Sequence, residues 1–188
     1  MAAWRRFHPD RIPLNHTLKT RSDLWLRFHS LPESKRYAAT EGEMSIILDR
    51  QNALARDALG EATPCWMISH LYVWDGVENG DEAWRDAHFD AFRQWGSMPK
   101  VLQAPDPDES ELAYDIHATE VVWSAGGFNS LLRDIASDAL RMMWMSKRTG
   151  AIFAPYDGGV DLVLPTLEEV RALAAAHSDW LSSYPGGY

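Results

Sequence analysis

The stretch from Thr40 to Gly60 constrains this chain more than any other. Thr40 and Glu43 make a Thr-x-x-Glu capping box, and Gly60 stops the run that follows. Between them Met44, Ile47, Leu48, Gln51, Leu54, Ala55, Ala58 and Leu59 recur at helical spacing. The spacing predicts a helix with one apolar face, and such a face has to be buried against another element. The candidates for that element are short runs of strand character. Leu24 to His29 alternates with period two, with Leu24, Leu26 and Phe28 on one side and Trp25, Arg27 and His29 on the other, until Pro32 ends it. Cys65 to Trp74 is an apolar run short enough for a strand buried on both faces.

Further along, Tyr114 to Trp123 and Arg141 to Ser146 read as strands. Gly126-Gly127 precedes a helix marked by Phe128, Leu131, Leu132, Ile135 and Ala139. Ile152–Ala154 and Val160–Leu164 flank Asp157-Gly158-Gly159 and predict a hairpin, since paired glycines permit a positive φ. A second capping box, Thr166 with Glu169, opens a helix with the stripe Leu167, Val170, Leu173, Ala174, His177 and Leu181. Asp75 to Glu111 is less regular, with a short helix expected near Glu82–Trp95 and a Pro/Asp-rich loop at 105–108.

The fold class expected from this order is α+β. It should be a mixed, mostly antiparallel sheet with helices on one face, in a ferredoxin-like split βαβ order plus a C-terminal hairpin and helix. With 188 residues, 46% hydrophobic, the chain reads as one domain (1–188) with an N-terminal extension (1–23) and an acidic insert (75–112). No run approaches the ~18 apolar residues of a membrane span, and no apolar stretch follows Arg5-Arg6 as a signal would require. Cys65 is the only cysteine, which excludes an intrachain disulfide and a multi-thiolate metal site. A cytoplasmic location is expected.

Charge is unevenly spread. Twelve acids lie between Asp75 and Glu120 against Arg85, Arg93 and Lys100, so this window carries the whole net charge of -9. Such a field repels nucleic-acid phosphate and anionic lipid and attracts a basic partner, although a solubilising loop would look the same. Nine tryptophans are present, and Trp84 and Trp95 fall within the acidic window. Trp serves both cores and binding hot spots.

The densest polar cluster is Arg27-Phe28-His29-Ser30-Leu31-Pro32-Glu33-Ser34-Lys35-Arg36-Tyr37, between the first strand and the first helix. Arg27, Lys35 and Arg36 suit an anion, and His29 with Glu33 could share a proton. A corner held by internal salt bridges would use the same residues. The second cluster, Tyr156, Asp157 and Asp161, could line a pocket with the first, or Asp157 could simply bond its own turn. There is no Walker or dinucleotide fingerprint, no G-x-S-x-G elbow and no H-E-x-x-H. Asp86, His88 and Asp90 alternate, a weak metal signal. No catalytic residue, metal or cofactor is assigned. Cys65, inside an apolar run, should be inert.

The strings RFHSLPESKRY (27–37), FAPYDGGVDLVLPT (153–166) and HSDWLSSYPGG (177–187) resemble the bacterial family known as domain of unknown function 3885. The resemblance runs from about Leu24 to the C-terminus and is weakest in the acidic middle. It implies a small, soluble, intracellular bacterial protein, similar in size and charge to immunity proteins that neutralise toxins, and it transfers no catalytic residue.

Two functional expectations follow. The first is a protein-binding inhibitor of the immunity type, which masks a basic toxin or enzyme surface with Asp81, Glu82, Trp84, Asp86, Trp95, Asp106, Asp108 and Glu109. The alternative is a small-molecule-binding protein or enzyme with a pocket of Arg27, His29, Glu33, Lys35, Arg36, Tyr37, Tyr156, Asp157 and Asp161. It requires the two polar clusters to meet around one cavity without Arg27 being consumed by an internal ion pair. The oligomeric state has no signature in the sequence.

Overall fold

The computed structural model describes residues 2–20, 23–74, 89–107 and 112–181. The elements are α1 (Ala2–Phe7), β1 (Trp25–His29), α2 (Glu41–Leu59), β2 (Thr63–Trp74), β3 (Lys100–Pro105), β4 (Leu112–Trp123), α3 (Asn129–Ala136), β5 (Met142–Ser146), β6 (Ile152–Tyr156), β7 (Gly159–Val163) and α4 (Leu167–Ala176). Single 3-10 turns lie at Asn15–Thr20, Pro32–Ser34 and Ser178–Trp180.

The long helix forms for the reasons its sequence states. Thr40 Oγ1 accepts the Glu43 N–H at 3.2 Å. The Glu43 carboxylate reaches back to the Ala39 N–H at 2.6 Å, one residue before the cap, so one orphan donor of the helix is satisfied and the chain entering it is tied down. Met44, Ile47, Leu48, Leu54, Ala55 and Leu59 face the core. Gln51 sits in the middle of that face, fully buried, and neither of its side-chain polar atoms has a hydrogen-bond partner.

The strands form one seven-stranded sheet in the order β1-β7-β6-β5-β2-β4-β3, and every ladder is antiparallel. The class is α+β, and the finer order differs from a ferredoxin-like one. A split βαβ half would leave a single strand between its two parallel strands, whereas β1 and β2, also parallel in direction, have three between them. Here α2 carries the chain four places along the sheet to β2, and the β5-β6-β7 meander fills the gap through short turns until β7 pairs with β1. The edge strand β3 lies within 75–112, a stretch the sequence leaves irregular, and only its last residue, Pro105, falls in the expected loop at 105–108. Its apolar signal is only Val101-Leu102, and Pro105, which cannot donate to a ladder, is tolerated at an edge.

Both sheet faces are covered. On one, α2, α3 and α4 enclose Phe28, Met67, Trp123, Trp144, Phe153, Val160 and Leu162. The helices α2, α3 and α4 thus share a face as expected. On the other face α1 and the 3-10 turn after it press Trp4, Leu14 and Leu18 onto Trp25, Ile68, Met143, Met145, Ile152 and Val163. The strict alternation of Met142, Trp144 against Met143, Met145 reads out the two faces directly.

The β6–β7 hairpin closes through Asp157-Gly158, with Tyr156 opposite Gly159. Neither glycine has a positive φ, so the reason for Gly159 differs from the expected one. A Cβ there would overlap the Phe28 carbonyl of β1 and come within 2.9 Å of the Tyr156 hydroxyl. Glycine is needed for close strand approach.

Candidate functional site

The two polar clusters meet. Register makes Arg27 on β1 the direct cross-strand partner of Asp161 on β7. Both lie on the sheet face away from α2, and the guanidinium grips the carboxylate in bidentate fashion, Nε at 2.7 Å and Nη2 at 2.8 Å. Burial pushes the Asp161 carboxyl above its ordinary value, offset only in part by Arg27. The Arg27 fork lies 5.1 Å from the ring centroids of both Trp25 and Tyr156. Tyr156 is half-buried, and loss of solvent around it pushes its hydroxyl up to about 12.

A second pair fastens the segment after β1 to the hairpin turn. Arg36 Nε bonds the Asp157 carboxylate, which is 5% exposed while Arg36 is 62% exposed. Burial alone would raise the Asp157 carboxyl, yet the bonds from Arg36 and Tyr37 outweigh it and hold it below the usual range. The chain reaches this position through two consecutive left-handed residues, Glu33 (φ 57°) and Ser34 (φ 59°), a strained corner for residues bearing a Cβ.

These groups line a cleft of about 220 Å³ together with Asn15, His16, Ile135, Asp138, Leu140, Arg141 and Pro155. It brings three arginines (27, 36, 141) to three aspartates (138, 157, 161). The Arg141–Asp138 pair is loose, at 3.5 Å. Asn15 Oδ1 and His16 Nε2 are buried there without a hydrogen bond, although His16 lies 3.8 Å from Asp106. Asn15, His16, Asp138 and Arg141 come from segments far away in the chain, and no sequence signal marks them.

The remaining candidates of the first cluster stand apart. Lys35 bonds Glu43 at 2.5 Å at the start of α2, and Glu33 is exposed on the corner. Tyr37 is half exposed beside Arg36 and Asp157. His29 Nε2 lies 3.2 Å from Ser34 Oγ. Its ring is held below the ordinary imidazole value by burial and by the charges of Arg27 and Arg50. A general base becomes an imidazolium, and two neighbouring guanidiniums disfavour that form. The expected sharing of a proton between His29 and Glu33 gives way to this arrangement. The Cys65 thiol is buried and pushed up to about 12, an inert group.

Of the acidic-window candidates, Trp95 is half-buried and stacks on Phe128 with centroids 4.3 Å apart, so it serves the core. Asp106 is buried and accepts from the Tyr114 hydroxyl at 2.8 Å. Asp81, Glu82, Trp84, Asp86, Asp108 and Glu109 lie outside the described residues. Each described acid of the window has a local partner: Asp90 with Arg93, Asp106 with Tyr114, Asp115 with Lys100, and Glu120 with Lys147. Among the described residues no three His, Cys, Asp or Glu side chains come together as metal ligands would. Among them, too, no helix is long and apolar enough to cross a membrane.

A family profile described as domain of unknown function (DUF3885) matches residues 14–185. The chain belongs to that family. No curated protein and no solved structure matches it. The DUF3885 match takes in all three ion pairs of the cleft and both Asn15 and His16, and leaves out α1.

Proposed function

We propose that this DUF3885 protein is a protein-binding module that docks on a basic partner surface, with an immunity-type inhibitor of a toxin or enzyme as its most specific form. The observation that supports this reading is where the chain leaves the sheet. Trp74 pairs with Leu112, and Pro105 with Ala113. Trp74, after which 75–88 begins, and Leu112, before which 108–111 ends, therefore stand at one end of the sheet, and the sequences of those two segments carry eight of the twelve acids of the window. The four acids in the described structure are engaged locally, so attraction of a partner rests on those eight. Charges of this kind speed encounter more than they deepen affinity. The same proposal takes the protein to be cytoplasmic, without nucleic-acid or membrane partners.

The test is capture from native lysate on the immobilised full chain, followed by kinetics on the recovered partner. A stoichiometric partner is expected, whose association rate falls about tenfold in a variant with Asp81→Asn, Glu82→Gln, Asp108→Asn and Glu109→Gln, with little change in dissociation. Recovery of no partner at either low or high salt would overturn the reading.

A further inference from the structure

We propose that the last turn-free stretch of β2, around Tyr72, is a strand-addition site onto which the basic partner lays an extended segment of its own. This rests on the docking function proposed above and names how the partner binds.

The site arises from a mismatch of strand lengths. β2 pairs with β4 from Thr63 to Trp74, but its ladder with β5 covers only Cys65–Ser69. Among the described residues no strand continues the lane of β5 beside 70–74. The Lys147 N–H donates to the Pro64 carbonyl at 3.0 Å, so the even-numbered residues of β2 turn their backbone groups toward β5. Tyr72 therefore directs its N–H and C=O into the vacated lane. The chain leaves that lane because α3 holds it elsewhere. The Asp138 N–H bonds the Ile135 carbonyl and the Ala139 N–H bonds the Asp134 carbonyl, with Asp138 left-handed at φ 57°. This is the Schellman closure of a helix, and it draws the connection to β5 away from β2.

What remains is a groove of about 200 Å³ between His70–Tyr72 and Asp138–Arg141. It is smaller than the ~300–1,000 Å³ of pockets for drug-sized ligands, and it follows an open strand edge, which takes an extended peptide through main-chain hydrogen bonds. Tyr72 is 54% exposed, and its ring already rests on Tyr114 with centroids 4.6 Å apart, so an aromatic contact for an added strand is ordered in advance. The outer edges of the sheet are guarded. β3 carries Lys100, a register shift between Lys100 and Leu102, and Pro105, and β1 is bridged at Phe28 by Leu181. Tyr72 is neither charged, bulged nor proline. Charge selects the occupant. The lane opens at the end of the sheet where Trp74 and Leu112 stand, next to the points where the two acid-rich sequences join it. A segment rich in Lys or Arg is favoured there, and one rich in Asp or Glu is repelled.

The experiment titrates the full chain with three end-capped peptides, Lys-Val-Lys-Val-Lys-Val-Lys, Glu-Val-Glu-Val-Glu-Val-Glu and Lys-Val-Lys-Pro-Lys-Val-Lys, and follows amide hydrogen exchange by NMR. The Lys-Val peptide is expected to saturate one site and to slow exchange of the Tyr72 amide at least tenfold. The Glu-Val peptide should bind at least tenfold more weakly, and so should the proline peptide, whose central residue cannot donate to a ladder. Ala139→Trp, at an exposed position on the groove wall, should weaken the Lys-Val peptide at least tenfold. No slowing at Tyr72, equal binding of the Glu-Val peptide, or equal binding of the proline peptide (attraction without strand pairing) would each overturn the proposal. A Tyr72 amide already slow in the free chain would overturn it too. That result would mark a lane filled by residues 75–88 of the same chain, or by a second copy where the slowing grows with concentration. Capture of a basic partner whose dissociation is unchanged by Ala139→Trp would overturn strand addition alone and leave the docking function standing.

Discussion

Replacing Arg27 by Met keeps the length and apolar stem of the side chain and removes the charge that faces Asp161. The carboxylate is 7% exposed and its two strongest bonds come from that guanidinium, so it would be left ionised in a buried site without a counter-charge. Breaking a buried pair in this way typically costs about 3–5 kcal/mol. Because Arg27 itself is 21% exposed, solvent screens the pair in part, and we expect the lower end, about 3 kcal/mol. Adding Asp161→Leu to Arg27→Met removes the stranded charge, and the double variant should return to within about 1 kcal/mol of the parent. The assay is urea unfolding followed by tryptophan fluorescence at pH 7. The pH dependence has a defined sign. Burial already raises the Asp161 carboxyl, and losing Arg27 raises it further. A group raised on folding favours the folded state when protonated, so the penalty in Arg27→Met should shrink as pH falls through that raised value. A loss below about 1 kcal/mol, or a penalty independent of pH, would refute the assignment of Asp161 as a buried carboxylate held by Arg27.

Gln51→Met should stabilise the protein by about 1–2 kcal/mol in the same assay, because it replaces a buried amide lacking partners with an apolar side chain of similar volume. Gly159→Ala should cost about 1–3 kcal/mol through overlap with the Phe28 carbonyl, and hydrogen exchange should quicken first in the β1 amides. His29 is held below 6.5, so the unfolded chain takes up a proton there before the folded one does, and stability should fall as pH drops below 6.5. His29→Gln should flatten that part of the profile; an unchanged profile would show that His29 is not responsible.

Elements governed by local rules could be read from the chain. Thr40 and Thr166 cap their helices, each accepting the N–H of the glutamate three residues on. The Tyr156–Gly159 hairpin lies where the turn residues place it. The edge strand β3 escaped notice because half of an edge strand's pattern is exposed, and its two adjacent apolar residues do not alternate. Trp95 was a candidate contact because it sits among acids, yet its ring is spent on Phe128, thirty-three positions later in the sequence.

The candidate site divides along the same line. Local sequence alone determined that Arg27, His29 and the Tyr156–Asp161 turn would be polar groups on one side of strands, since period-two alternation is a property of each strand by itself. Only the tertiary structure decided that Arg27 would stand opposite Asp161, and that Asn15, His16, Asp138 and Arg141 would close the cleft around them. Strand order is set by how the helices and the N-terminal segment cover two faces of one sheet. That is a balance of burial over the whole chain, and no window of neighbouring residues carries it.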